Sequence, residues 1–216
     1  MIKYVIILAI TLIATVNNYA KEWIIKIPSK KVRMISAKGL KHPNWFITKY
    51  KIKNFVNLSF FDNSFIPPYR DDSTFKPNNG KFWPYFTIDL PKIYSVPALS
   101  PNIFFYKGDA IPAIWSKYIA SGTPLLLKDG IFQKIYPSSF TTAKRPRTVV
   151  GRIGLDTLLI FITSSMRITD LPAKMQSLGC TDALNLDGGG STILYMNNSY
   201  EYKQKKIRSY PNLLTW

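Results

Sequence analysis

The chain has 216 residues, enough for one domain with a real core and too few for two. Its 46% hydrophobic and 14% aromatic content exclude a disordered chain, which lacks the apolar surface to offset the entropy of folding. Lys and Arg number 29 against 12 Asp and Glu, a net charge of +17, which draws polyanions: nucleic acid, anionic lipid, phosphate-bearing glycans or an anionic cell envelope. A coding bias toward Lys, Asn, Ile and Tyr is the competing explanation of the same excess.

Residues 1–20, MIKYVIILAITLIATVNNYA, place Lys3 before an apolar run from Tyr4 to Val16, then polar Asn17 and Asn18 and small Ala20. This order is that of a secretory signal peptide, and the run is shorter than the roughly 18 residues of a membrane span. Asn18 is not the small residue a clean cleavage site prefers, so an uncleaved N-terminal anchor is the alternative. No Cys follows the run, which excludes a lipoprotein anchor. The expected domain is therefore residues 21–216, exported to the periplasm or secreted. The lone Cys180 cannot form an intramolecular disulfide and reads as a small buried residue.

Along the mature chain strand-like segments dominate: residues 22–27, 45–52, 55–61, 85–90, 124–136, 148–153 and 157–163, rich in β-branched and aromatic residues. Gly154–Asp156 reads as a hairpin turn, and Asn197, Asn198 and Ser199 as another between STILYM and YEYK. Residues 62–84 carry Pro, Asn, Asp and aromatics and read as a loop covering a site. Two helices are expected. One spans 111–122, with Ile114, Tyr118 and Ile119 on one face; the other is ITDLPAKMQSLG, with Thr169 as N-cap, Pro172 in the first turn and a stop at Gly179. The expected fold is α+β, a single domain of mixed, mostly antiparallel β-sheet with a few helices.

The stretch NLDGGGST, Asn185 to Thr192, is the chemically distinctive one. A phosphate-binding P-loop needs Lys then Ser or Thr after its glycines and a helix beyond, and a dinucleotide fingerprint needs spaced glycines before a helix. Here the glycines run into STILYM, so the reading is strand, tight glycine turn, strand. Taken alone, that is a bulged hairpin in which Asp187 merely caps the turn.

The segment LPAKMQSLGCTDALNLDGGGSTILYMNN nevertheless resembles the C-terminal signature of the phosphodiester glycosidase family. VNLSFFD (56–62), ASGTPLLLKDG (120–130) and RPRTVVG (145–151) resemble three further family segments in the same order. The resemblance covers roughly residues 50 to 200 and implies a hydrolase that cleaves the bond between a sugar's anomeric carbon and a phosphodiester. Leu58 and Thr123 stand where the family has glycine. If the backbone at Leu58 needs a positive φ, the site is strained or rearranged; both departures would alter substrate choice or signal lost activity, and a glycan- or envelope-binding protein without catalysis is the alternative.

Only Glu22 and Glu201 exist as glutamates, so a Glu pair cannot run the chemistry. The matched motifs offer Asp187 and, less directly, Asp62, which also reads as a turn cap. A sugar phosphodiester has a weakly basic anionic leaving group, so a cation or N–H cluster on the phosphate plus one base or nucleophile would suffice. Asp187 is the candidate base or nucleophile, Asn185 orients substrate, and Arg147 grips phosphate with its planar fork unless it makes a structural ion pair. Gly188, Gly189 and Gly190 would turn backbone N–H groups to an oxyanion. Asn57, Ser59, Ser121, Gly122, Thr148, Ser191 and Thr192 would line the substrate, and Phe60 or Phe61 would stack on the sugar if not in the core. No cofactor is expected. No His/Cys constellation points to zinc, while Asp and carbonyl oxygens leave calcium open. A nucleic-acid partner rests on charge alone, and the leader argues against it; a chain retained in the cytoplasm would face nucleotide sugars or cyclic nucleotides instead.

Overall fold

The structure is a computed structural model that describes residues 20–60 and 118–216 and, between them, the strands at 69–70, 85–88 and 103–106. Residues 1–19 of the expected signal peptide, Phe61, Asp62 and all of the expected 62–84 loop except Tyr69 and Arg70 lie outside the described residues. The strands are β1 (Glu22–Pro28), β2 (Arg33–Lys41), β3 (Phe55–Asn57), β4 (Tyr69–Arg70), β5 (Tyr85–Ile88), β6 (Ile103–Tyr106), β7 (Tyr118–Ser121), β8 (Leu125–Lys128), β9 (Ile131–Phe132), β10 (Arg145–Ile153), β11 (Thr157–Met166), β12 (Asp182–Asn185), β13 (Leu194–Met196), β14 (Ser199–Tyr202) and β15 (Tyr210–Thr215). Three short helices join them: α1 (Pro43–Tyr50), α2 (Ser139–Thr142) and α3 (Leu171–Ser177).

The long apolar runs dictate the layering. In β11, Leu158, Ile160 and Ile162 point into one cluster, Leu159 and Phe161 into another. A strand buried on both faces reads as a continuous apolar run rather than an alternating one. The six-stranded sheet β1-β11-β10-β12-β8-β9 therefore packs one face against the five-stranded sheet β14-β13-β3-β15-β2, through Ile160, Val150, Leu184, Val56, Leu194 and Leu214. Its other face is covered by α3, through Leu171 and Met175. The outer face of the second sheet carries Phe55, Tyr195 and Leu213 under Phe46 of α1. A third sheet, β4-β7-β5-β6, completes the set, and every described strand pairing is antiparallel. The result is an α+β fold of mostly antiparallel sheet with short helices. Among the described residues no helix is long and apolar enough to cross a membrane.

Several expectations hold. Strands form at 22–28, 55–57, 85–88, 145–153 and 157–166, and Asn197 and Asn198 make the expected turn with φ of 51° and 65°. Others are corrected. Where a strand is expected at 45–52, residues 45–50 belong to helix α1 and Lys51 caps it: the His42 ring accepts from Asn44 N–H at 3.3 Å, and Pro43 sits at the first helical position with its φ already set. Tyr118–Ser121 of the expected 111–122 helix is strand β7, since Tyr118 and Ile119 are strand formers and pair with Ile88 and Thr87. Of residues 131–136 only Ile131–Phe132 is strand, because Gln133 N–H turns back to Leu126 O at 3.0 Å. Thr169 is not the cap: a 3-10 turn at Ile168–Asp170 runs directly into α3. The sequence reading passes over β2 and β15; Pro211, at a register shift between Tyr210 and Asn212, disguises the latter.

Candidate active site

The glycine turn is not a hairpin. Its incoming strand β12 belongs to the first sheet and its outgoing strand β13 to the second, so Leu186–Ile193 is the crossing between them. Leu186 N–H still bonds Thr148 O of β10 at 2.8 Å, and the next residue, Asp187, bonds Leu58 O beyond β3 at 3.3 Å. Asp187 thus sits at the seam where the chain leaves one sheet for the other. Gly188 is needed for close approach, since a side chain there would come within 2.9 Å of Pro146 O, and Gly189 adopts a φ of +57°. Gly190 meets nothing nearer than Arg208 Cδ at 3.9 Å and is exposed.

Asn57 stitches the seam. Its Nδ2 donates to Asp187 O at 2.6 Å, and its Oδ1 accepts from Thr148 Oγ1 at 2.8 Å and Ile193 N–H at 3.2 Å. With these bonds made, Asn57 and Thr148 hold the turn in place. Asn185 donates from Nδ2 to Thr123 O at 2.6 Å, while Thr123 N–H returns a bond to Asn185 O at 2.8 Å. Its Oδ1 is buried with no protein partner, as are Ser59 Oγ and Thr192 Oγ1. Orphaned atoms of this kind mark places where a polar ligand or water completes the set.

Gly122 lies hard against the same strand: a Cβ would stand 2.3 Å from Asn185 O and 2.9 Å from Leu184 Cγ. Both neighbours are buried, so Gly122→Ala is expected to destabilise the fold by about 3 kcal/mol through forced backbone displacement. Urea unfolding checks this; an unchanged midpoint would show that the Thr123–Pro124 segment can move away. Ser121 ends β7, and its side chain lies outside the described residues. Neither Leu58 nor Thr123 has a positive φ, so the absent glycines impose no backbone strain.

Asp187 is 8% exposed, and burial pushes its carboxyl up from 3.8 to about 6, against the pull of the Ser191 hydroxyl, Gly188 N–H and the Arg208 charge. Oδ1 accepts from Gly188 N–H at 2.9 Å. Ser191 Oγ in turn accepts from Arg208 Nη1 at 3.0 Å, which leaves its proton for Asp187. Tyr210 OH donates to Ser191 O at 2.9 Å, its own ionisation suppressed first by burial and then by the Asp187 charge. Arg208 and Tyr210 escape the sequence reading; the only signal for them is the basic run KQKKIR at the end of a chain whose motifs stop earlier.

Arg147 is a different case. It is 1% exposed and donates to Met166 O at 3.2 Å, Phe140 O at 2.9 Å and Ala143 O at 3.0 Å, with Phe140 stacked under the guanidinium. Neither an ion pair nor a substrate fork describes it. The bulge between Arg145 and Arg147 turns this side chain into the α2 loop, where it clamps three carbonyls. Phe60 meets Phe140 edge-on, with centroids 6.2 Å apart. Among the described residues no three His, Cys, Asp or Glu side chains gather where a metal ion could sit.

An antiparallel α+β fold with one buried, raised carboxyl at a glycine crossing, flanked by an arginine, defines the class within which the chain falls. The family model for phosphodiester glycosidases matches residues 100–215. The chain belongs to the phosphodiester glycosidase family. Among solved structures it is similar to the catalytic domain of zebrafish N-acetylglucosamine-1-phosphodiester alpha-N-acetylglucosaminidase, auto-inhibited by its pro-peptide, with a TM-score of 0.73 at 16% identity over 95% of this chain and 81% of that one. A hypothetical protein from Synechocystis follows at TM-score 0.65, 12% identity, 94% of this chain and 60% of that one. A protein from Burkholderia pseudomallei, named as an exported one, gives 0.66 at 10% identity over 91% and 73%. At these identities the likeness is one of fold. No curated protein sequence matches the chain.

Proposed function

We propose that this protein is an exported hydrolase that cleaves the glycosidic bond of a sugar-1-phosphodiester. The observation that carries the reading is Asp187: a carboxyl at the sheet crossing, raised to about 6, joined through Ser191 to an exposed arginine. A base is most effective when its pKa lies near working pH, and this carboxyl is tuned toward it. Asp187 takes a proton from water as that water attacks the anomeric carbon. The bond from that carbon to the phosphate oxygen breaks, releasing the free sugar and a phosphomonoester. The departing phosphate is weakly basic, so no second carboxylic acid is required to protonate it. Arg208, rather than Arg147, supplies the cation that meets it. Asn185 and Thr192 offer their unpartnered oxygens to sugar hydroxyls.

The test is hydrolysis of a panel of synthetic sugar-1-phosphodiesters by the wild-type protein. Release of free sugar and phosphomonoester is expected for at least one sugar. Binding without turnover across the panel would replace this reading with that of a glycan-binding protein on the same fold.

A further inference from the structure

Between β14 and β15 the chain reads KQKKIRS, residues 203–209, with cations at Lys203, Lys205, Lys206 and Arg208. The segment is pinned from beneath. Gln204 Nε2 donates to Tyr202 OH at 2.9 Å, Ile207 packs on the cluster of Phe46, Phe55 and Tyr195, and Tyr210 is locked on Ser191 O. Lys203 lies over the Tyr200 ring at 5.2 Å. These anchors leave Lys205 and Lys206 exposed at a bend and bring Arg208 to Ser191.

Three basic residues among the described ones meet acids: Lys128 and Arg152 reach buried Asp182, and Lys174 reaches Glu22 at 2.7 Å. Among the described residues no acid pairs with Lys203, Lys205 or Lys206. Like charges held close repel one another, and a surface of one sign beside a reactive group raises the local concentration of its counter-ion. The cations lead away from Asp187 in chain order, Arg208 first, then Lys206 and Lys205 within about 10 Å of extended chain. Exposed Gly190 faces Arg208, whose Cδ would stand 3.9 Å from a Cβ there, and Thr192 Oγ1 is unpartnered on the same turn.

We propose that the segment Lys203–Arg208 is an anion-binding strap that selects a substrate carrying several phosphodiesters, a repeating sugar-phosphate chain rather than a single capped sugar. Arg208 receives the phosphate at the scissile bond, and Lys205 and Lys206 receive the next one along. This rests on the hydrolase reading above and specifies its substrate class.

The experiment compares one sugar-1-phosphodiester with a single charge and a hexamer of the same sugar joined through 1-phosphodiesters. The wild-type protein is expected to show a kcat/KM about tenfold or more higher for the hexamer, an advantage that shrinks as NaCl rises from about 50 to about 500 mM because exposed charges are screened. The Lys205→Gln/Lys206→Gln double variant should bring that ratio to about two or below, whereas Arg208→Gln should lower turnover of both substrates. A ratio near one in wild type, or one that the double variant leaves intact, overturns the strap while turnover of either substrate keeps the hydrolase reading. Fluorescence anisotropy with labelled hexamer separates the two ideas. Absence of turnover with hexamer held more tightly than the single diester, and that preference lost in the double variant, refutes catalysis and supports the strap. Neither binding nor turnover refutes both.

Discussion

Asp187→Asn is expected to abolish sugar-phosphodiester hydrolysis and, at neutral pH, to make the protein more stable. The carboxyl titrates near 3.8 when exposed and near 6 in the folded chain, the rise coming from burial. The folded state therefore holds this proton more tightly than the unfolded state does. Below pH about 3 both states are protonated and there is no penalty; stability falls as pH rises from about 3 through about 6, and above that the full penalty is present. The difference converts to about 3 kcal/mol, which for a domain of this size is a Tm change of about 6–12 °C. Asn keeps a neutral side chain in place at every pH, so wild type and variant should coincide at pH about 3 and diverge at pH about 7.5, with Asn the more stable. The activity of the wild type should run the other way, rising tenfold per pH unit to about 6 and then levelling, as an ionised base requires. Thermal unfolding at the two pH values is the check. A variant no more stable than wild type at the higher pH would mean that the carboxyl is not held out of water.

Arg147→Lys is expected to cost about 3 kcal/mol with little change in catalysis, because an ammonium cannot satisfy three carbonyls arranged for a planar fork. Burial and the neighbouring Arg145 charge already lower the Arg147 pKa to about 10, so the environment disfavours a cation that is not fully bonded. Thermal melts should fall by about 6–12 °C, while kcat/KM measured well below the new midpoint stays within a few fold of wild type. Arg208→Gln should show the reverse, a lost phosphate contact with a nearly unchanged melt. An Arg147→Lys variant with a normal melt but no affinity for phosphodiesters would return Arg147 to the substrate.

How much of this was legible depends on range. Strands β1, β3, β10 and β11 are visible as runs of β-branched and aromatic residues, and α3 as an apolar face bounded by Gly179. Residues 45–52 and 118–121 misled because Trp, Phe, Ile and Tyr suit either a strand or a helix face over so few positions. A capped proline decided the first and a paired neighbour strand the second. The glycine motif is legible as a turn, but its role as a crossing between sheets depends on pairings with β10 and β3 that lie far off in sequence.

The sequence by itself determined the α+β class, the family through its ordered motifs, and the position of the one acid set among glycines. Those properties reside in local composition and spacing. Only the tertiary structure decided what the polar residues do. It set Asn57 and Arg147 to holding backbone and Thr148 to holding Asn57, raised Asp187 by excluding water, and brought Arg208 and Tyr210 to Ser191. Whether a buried polar group binds a ligand or its own chain depends on which donors and acceptors folding places beside it, and residue type alone does not fix that.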